Sequence, residues 1–311
     1  MGGTVLIVAR PGDPSSDLVV RALRDRGVRV ARFDLGDPGV RLTAELSGGR
    51  WVGELGDGHR AVLLEDVVAV FWRWPTRAAG APAVSDPAAR RWAGREDSEA
   101  LHGVLRTLRV RWINHPDRVA VANSKPLQLA AAHAAGLTVP ATLITNTARS
   151  ARHWSADGRA LYKAFYANGP DDTAMIYAGP VAPASIPPQL HAAGTFQRII
   201  NGDHIRVTVA GPRMFAVSIH GATRLDWRGH RDVTYTPVEI PAPVQDRITR
   251  YMTGLGLEYG AFDFIRRTDD WVFLECNPTG MWGFVEFGTA MPITDAIAGR
   301  LLDPLDPKPQ R

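Results

Sequence analysis

Apolar residues along the chain fall into strand-length runs separated by stretches of helical spacing. TVLIVAR at 4–10 is an apolar run of strand length, followed by Pro11 and Gly12. SSDLVVRALRDRG (15–27) spaces its apolar residues like a helix and stops at Gly27, and VRVARFDL (28–35) alternates like a second strand. This strand–helix–strand opening predicts an α/β fold. No GxGxxG accompanies it, so the dinucleotide fingerprint is missing. VRLTAELSGGRWVGEL (40–55) reads as a hairpin around Gly48-Gly49, and VVAVFWRWP (67–75) as a further strand. A polar, Ala-rich stretch (76–98) leads into a predicted helix, SEALHGVLRTLRV (98–110).

Residues 112–145 read as a junction, with a boundary near 118, a helix over 125–135, Gly136, and a strand over 141–145. ALYKAFY (160–166) is a strand, ANGPDDTAM (167–175) a loop of turn formers, and the proline-rich 180–190 a link between two lobes. Residues 195–221 give three short strands, the last two a hairpin at Gly211-Pro212. A helix over 241–256, with Gly254 near its end, precedes two strands in 257–277 joined by a turn at 268–270. The expected division is 1–118, 119–194 and 195–311. Internal repeats and coiled-coil heptads are lacking.

Length and composition add limits. With 311 residues, 45% of them hydrophobic and 22% charged, the chain can bury a large core in two or three parts. No stretch approaches the roughly 20 apolar residues of a membrane span, and the N-terminus lacks the basic start and cleavage site of a signal peptide. A single cysteine, Cys276, fits a reducing cytosol, and cytoplasmic residence is expected. The net charge of +4 reads either as general arginine usage or as a match to a polyanionic ligand or acidic partner. No basic run or basic–aromatic alternation points to nucleic acid.

The chemistry gathers near the C-terminus. In DWVFLECNPTG (270–280) the apolar run ends in Glu275 and Asn277, which share a strand face because side chains alternate with period two. Cys276 between them points the other way, as a small buried filler. Asp263 interrupts the preceding apolar strand GAFDFI, and strand pairing can bring it beside Glu275 and Asn277. Asp, Glu and Asn are hard oxygen ligands, and they suit Mg2+, which takes one or two protein carboxylates plus phosphates. The competing reading, solvated strand ends, leaves carboxylates in apolar strands without a cation, which is costly. Lys125 opens a helix and Lys163 lies inside LYKAFY, both as candidate phosphate contacts, and the loop after Lys163 can offer backbone N–H groups.

This order of features resembles the ATP-grasp superfamily, over roughly residues 110–300. The stretches VFWRWPT, WINHP, KPLQLAAAHAAGLTVPATLITN, LYKAFYANGPDD, FQ…IRVTVAGPRMFAV, LDWR and FLECNPTGMWGFVE look closer still to one branch, the ATP-grasp maturases of ribosomal peptides that include the microviridin and other graspetide ligases. The resemblance implies an ATP-grasp fold with an N-terminal pre-ATP-grasp α/β domain, a central lobe and a C-terminal lobe. ATP and Mg2+ would lie between the last two. Lys125 and Lys163 would meet phosphate, and Asp263, Glu275 and Asn277 the metal. Gln197, Arg198, Ile199 and Ile200 would form the adenine hinge, and Asp203 or His204 would meet the ribose. Relatives often carry Glu where this chain has Arg198, and Arg-Arg where it reads RWP, so that only Arg73 carries over.

The implied activity is activation of an Asp or Glu side chain of a ribosomal precursor peptide as an acyl phosphate, captured by hydroxyl or amine as an ω-ester or ω-amide. Arg206 and Arg228 would stabilise the developing negative charge. Asp226 would orient Arg228 or the nucleophile, with Asp226 or His220 as base. Trp282 reads as packing over the site rather than as a catalytic group. The rivals are a ligase adding amino acids to a small molecule or protein tail, and a non-catalytic ATP-binding regulator. The assembly, a homodimer among the options, is left open.

Overall fold

The computed structural model describes residues 2–166, 176–221, 225, 232–268 and 270–304. The N-terminal part holds β1 (Thr4–Ala9), α1 (Pro14–Asp25), β2 (Arg29–Phe33), β3 (Arg41–Ser47), β4 (Arg50–Gly56), β5 (Ala61–Leu63), β6 (Val67–Arg73), α2 (Pro87–Arg106), β7 (Arg111–Ile113) and α3 (Pro116–Ala122). The middle holds α4 (Lys125–Ala134), β8 (Thr142–Thr145), α5 (Ala148–Trp154), β9 (Ala160–Lys163), β10 (Gly179–Pro180) and β11 (Gly194–Arg198). The C-terminal part holds β12 (Asp203–Ala210), β13 (Arg213–His220), β14 (Thr234–Pro237), α6 (Ala242–Leu255), β15 (Tyr259–Arg266), β16 (Trp271–Asn277), α7 (Gly283–Thr289) and α8 (Ile293–Leu302).

A parallel sheet ordered β2-β1-β6-β7 forms the N-terminal core. Its central strand β1 is buried at every position, and so it reads as a continuous apolar run rather than an alternation. The predicted hairpin at Gly48-Gly49 is present, within a separate sheet β3-β4-β5. An antiparallel sheet β10-β9-β11-β8 makes the middle, and β14-β13-β12-β15-β16 the C-terminal sheet.

One face of the C-terminal sheet shares a core with the N-terminal sheet, where Ile7, Phe71, Ala261, Trp282 and Ile297 are packed together. Trp282 is fully buried there, edge-on to Phe71 and Tyr259 with ring centroids 6.2 and 5.5 Å away. Trp282 therefore packs as expected, but between the two sheets and not over the candidate site. The opposite face packs on α4 and α6 through Val207, Ile248, Phe262 and Phe273.

Some expectations need correction. The helix read over 98–110 begins at Pro87 and ends at Arg106. Asp86 caps it by accepting from the N–H groups of Ala88 and Ala89, a start signal hidden in a polar stretch because little of that first half is buried. The proline-rich 180–190 segment does not link lobes: β10 pairs with β9, and Ile186 packs on Phe196, Ala148 and Ala151 inside the middle sheet's own core. The strand read to 166 ends at Lys163. The helix read over 241–256 spans Ala242–Leu255 with Gly254 near its end as expected, and Gly256, at φ 63°, closes it. Of the three strands in 195–221, the first joins a different sheet from the other two.

Candidate functional site

Three neighbouring strands of the C-terminal sheet carry a row of charges. Arg206 on β12 lies opposite Asp263 on β15, which lies opposite Glu275 on β16. Directly opposed residues project to the same face, so register alone brings the three together. The pairing slips between Asp263 and Phe264, a bulge of the kind that re-aims side chains beside functional sites. Asn277 follows two residues after Glu275 on that face. Cys276 points to the other core, fully buried, and burial pushes its thiol up to about 12.

Arg206 Nη1 donates to both Asp263 oxygens, at 3.0 and 2.9 Å, and Nη2 donates to the Met281 carbonyl at 3.3 Å. Burial works against the Arg206 cation, but the facing Asp263 carboxylate raises its pKa above the ordinary arginine value. Lys125 Nζ meets Glu275 Oε2 at 2.9 Å. Lys125 starts α4, where the helix dipole disfavours a cation, and the Glu275 contact offsets this. One turn on, Gln128 locks the helix to the strand. Its amide donates to the Cys276 carbonyl (2.7 Å) and accepts from the Cys276 N–H (3.0 Å). Gln128 was not foreseen; an amide in an alanine-rich helix was its sequence signal.

These groups open on a cavity of about 200 Å3. Lys125, Lys163, His204, Asp263, Glu275 and Asn277 all line it, so the structure brings six of the sequence candidates together. The remaining ones are placed otherwise. Asp203 is on the other side of β12, paired with Arg266 at 2.7 Å. Gln197 is buried and donates to Thr142 Oγ1 at 3.0 Å. Arg198 bonds Asp157 at 2.6 Å and lies over the Trp154 ring. The N–H groups of Arg198 and Ile199 are engaged by the carbonyls of Ala141 and Arg159, so those two donors are not on offer to a base. Ile200 follows just past the end of β11. Asp226, Arg228 and the 167–175 loop lie outside the described residues.

The loop that follows Asn277 is clasped from the N-terminal sheet. Arg73, at the end of β6, is 2% exposed and paired with Asp13 at 2.7 Å. Its Nη1 donates to the carbonyls of Thr279 (2.6 Å) and Gly280 (3.1 Å). Asn114 Nδ2 donates to the Pro278 carbonyl at 2.8 Å, and Tyr259 Oη to that of Gly280 at 2.8 Å. Trp74 Nε1 donates to Thr279 Oγ1 at 2.7 Å. A Cβ on Gly280 would fall 2.6 Å from Ala261 Cβ and 2.9 Å from Arg206 Nη2, so only glycine lets the loop pass this close. Trp74 sits at φ 45°, a conformation that costs a non-glycine residue about 1–3 kcal/mol. Arg73 stacks on its ring at 4.3 Å and Arg10 lies at 5.1 Å. Of these, sequence reading had marked only Arg73.

Two carboxylates and one carboxamide oxygen on one face, open to a cavity, make a hard-oxygen set that fits Mg2+. Among the described residues no three His, Cys, Asp or Glu side chains gather to hold a metal by themselves. Among the described residues, no helix is long and apolar enough to cross a membrane.

Residues 4–120 match the MvdD pre-ATP grasp domain. Across the chain, the macrocyclase MdnC from Microcystis aeruginosa MRC, solved with its precursor peptide MdnA, is similar at 25% identity and TM-score 0.83, covering 97% of this chain and 100% of that one. Macrocyclase MdnB from the same organism is similar at 28% identity and TM-score 0.79, covering 96% and 99%. The ATP-grasp ligase PsnB, solved with a minimal precursor, Mg and ADP, shares the fold at 23% identity and TM-score 0.74, covering 96% of each chain. No curated protein sequence matches the chain. Residues 4–120 thus match an MvdD-type pre-ATP-grasp domain, and the whole chain has an ATP-grasp fold shared with the macrocyclases MdnC and MdnB.

Proposed function

We propose that this protein is an ATP-dependent ligase that closes rings within a ribosomal precursor peptide. The observation that carries the reading is the row Arg206–Asp263–Glu275, with Lys125 and Asn277 at the same cavity. Its support from likeness is MdnC, a macrocyclase similar over essentially the full length of both chains. The proposed division is 1–118, 119–194 and 195–311, with the nucleotide between the last two parts.

Asp263, Glu275 and Asn277 would hold Mg2+, which screens phosphate charge and lets a phosphoryl group transfer. Lys125 and Lys163 bind phosphate oxygens as point charges. When phosphate enters, Lys125 exchanges part of its contact with Glu275 for it. His204, on the cavity side of β12, is the ribose contact in preference to Asp203. Arg206 is held by Asp263 and the Met281 carbonyl, and so it presents a fixed cation to the anion that develops at the acyl carbon. A substrate carboxylate oxygen takes the terminal phosphoryl group of ATP and ADP leaves. A Thr or Ser hydroxyl, or a Lys amine, then attacks the acyl carbon and phosphate departs. The nucleophile's proton passes to a base, for which Asp226 and His220 are the proposed groups, and Arg228 would assist Arg206.

The test is incubation with Mg2+, ATP and a candidate precursor peptide with a leader and a Thr/Ser- and Asp/Glu-rich core, followed by mass spectrometry. Each ring should remove one water and release one ADP. Mild base should reopen ester rings and leave amide rings intact. ADP release driven by a free amino acid, with no mass loss from the peptide, would replace this reading with the amino-acid-adding ligase.

A further inference from the structure

We infer that Trp74 and Thr279 are positioning residues for Asn277: a hydrogen-bond relay sets the carboxamide oxygen from the N-terminal domain. The inference rests on the ligase reading above, in which Asn277 is a metal ligand.

The direction of the relay follows from its donors. An indole N–H can only donate, so at 2.7 Å Thr279 Oγ1 is the acceptor from Trp74. The hydroxyl proton must therefore point elsewhere, and Asn277 Oδ1 lies 3.3 Å away. The Thr279 backbone N–H, also a donor only, approaches the same atom at 3.0 Å. Two donors meeting one atom identify it as the carboxamide oxygen and not the nitrogen. The plane of the Asn277 carboxamide beside Glu275 is thus set by Thr279, and the Thr279 hydroxyl by Trp74.

A contact that merely glued the domains together would not need this route. The loop is already tied through its backbone, because Arg73 and Asn114 hold the carbonyls of Pro278, Thr279 and Gly280. Among the described residues, only the Trp74 contact passes through a side-chain hydroxyl into the proposed ligand. Trp74 is kept for it in a backbone conformation tryptophan avoids, at φ 45°, with its ring on the Arg73 guanidinium. Strain of this kind persists where the surroundings over-determine a residue, and it concentrates at functional sites. Partners that orient a metal's ligands commonly matter nearly as much as the ligands.

The experiment titrates Mn2+ into the intact protein with ADP and reads free Mn2+ by electron paramagnetic resonance. The chains are wild type, Trp74→Phe, Thr279→Val, Thr279→Ser and the double variant Trp74→Phe/Thr279→Val. Trp74→Phe keeps the stacked ring and removes the donor, and Thr279→Val keeps the shape and removes the hydroxyl. Each should weaken Mn2+ binding about 10-fold, the lower end for such partners. The double variant should be no weaker than Thr279→Val, because both break one relay. Thr279→Ser should restore binding. In turnover, kcat should fall while the peptide KM stays. Wild-type Mn2+ affinity in Thr279→Val, or additive losses in the double variant, would overturn the relay. Circular dichroism melting qualifies each variant, and if Trp74→Phe does not fold, the Thr279 pair decides. Failure of the wild-type chain to bind Mn2+ with ADP would instead remove the ligase reading, and the relay with it.

Discussion

Neutralising the two carboxylates of the charge row should stop turnover equally but cost stability unequally. The Asp263–Arg206 pair is desolvated, with side chains 13% and 7% exposed. Arg206 Nε already lacks a hydrogen-bond partner among the described residues. Asp263→Asn leaves that guanidinium buried without its counter-charge, a change that costs about 3–5 kcal/mol. Glu275 and Lys125 are 22% and 35% exposed, and both can turn to water. Glu275→Gln therefore costs about 0–1 kcal/mol, as for a solvent-screened pair. At roughly 2 °C per kcal/mol for a large chain, Asp263→Asn should lower Tm by about 6–10 °C and Glu275→Gln by no more than about 2 °C. The assay is a thermal melt of each variant, with and without Mg2+ and ADP. The ligand should raise the melting temperature of the wild type and of neither variant. Equal shifts for the two variants would refute the reasoning, since they would show that the Asp263–Arg206 pair is no more desolvated than its neighbour. Retained stabilisation of Glu275→Gln by Mg2+ and ADP would place the metal elsewhere.

Lys163→Ala should leave the fold intact and weaken ADP binding by about 1.5–3 kcal/mol, roughly 10- to 100-fold in Kd, as expected for a charged phosphate contact; unchanged affinity by calorimetry would remove Lys163 from the site. Cys276 should resist thiol reagents in native buffer at neutral pH and react once the chain is unfolded, because burial raises its pKa to about 12. Its neutral thiol favours the folded state fully below the unfolded value of about 8.5, and that contribution is lost as pH rises toward about 12, so rapid native labelling would contradict its placement.

Much of the candidate site's layout was legible in the sequence. A two-residue period placed Glu275 and Asn277 on one face and Cys276 on the other, because a strand offers no alternative. A short turn between two apolar strands made antiparallel neighbours of Asp263 and Glu275, and the register sets them directly opposite. Lys125 was marked by the helix it opens, and Lys163 by the apolar strand it interrupts. Misreadings came where local signals were weak. The start of α2 carried a cap but few buried residues, and the prolines of 180–190 resembled a linker although Ile186 anchors them.

Local periodicity in the sequence determined which side chains share a strand or helix face, since that depends only on backbone repeat and near neighbours. Tertiary structure alone decided which faces meet. Lys125 reaches Glu275 across 150 positions, Gln128 reaches Cys276 across 148, and Arg73 reaches Thr279 across 206. No pattern within a helix or strand encodes such a contact. Each exists because the α4 face and the N-terminal sheet bury their apolar surfaces against the C-terminal sheet, and that packing sets polar groups at its margin within bonding distance.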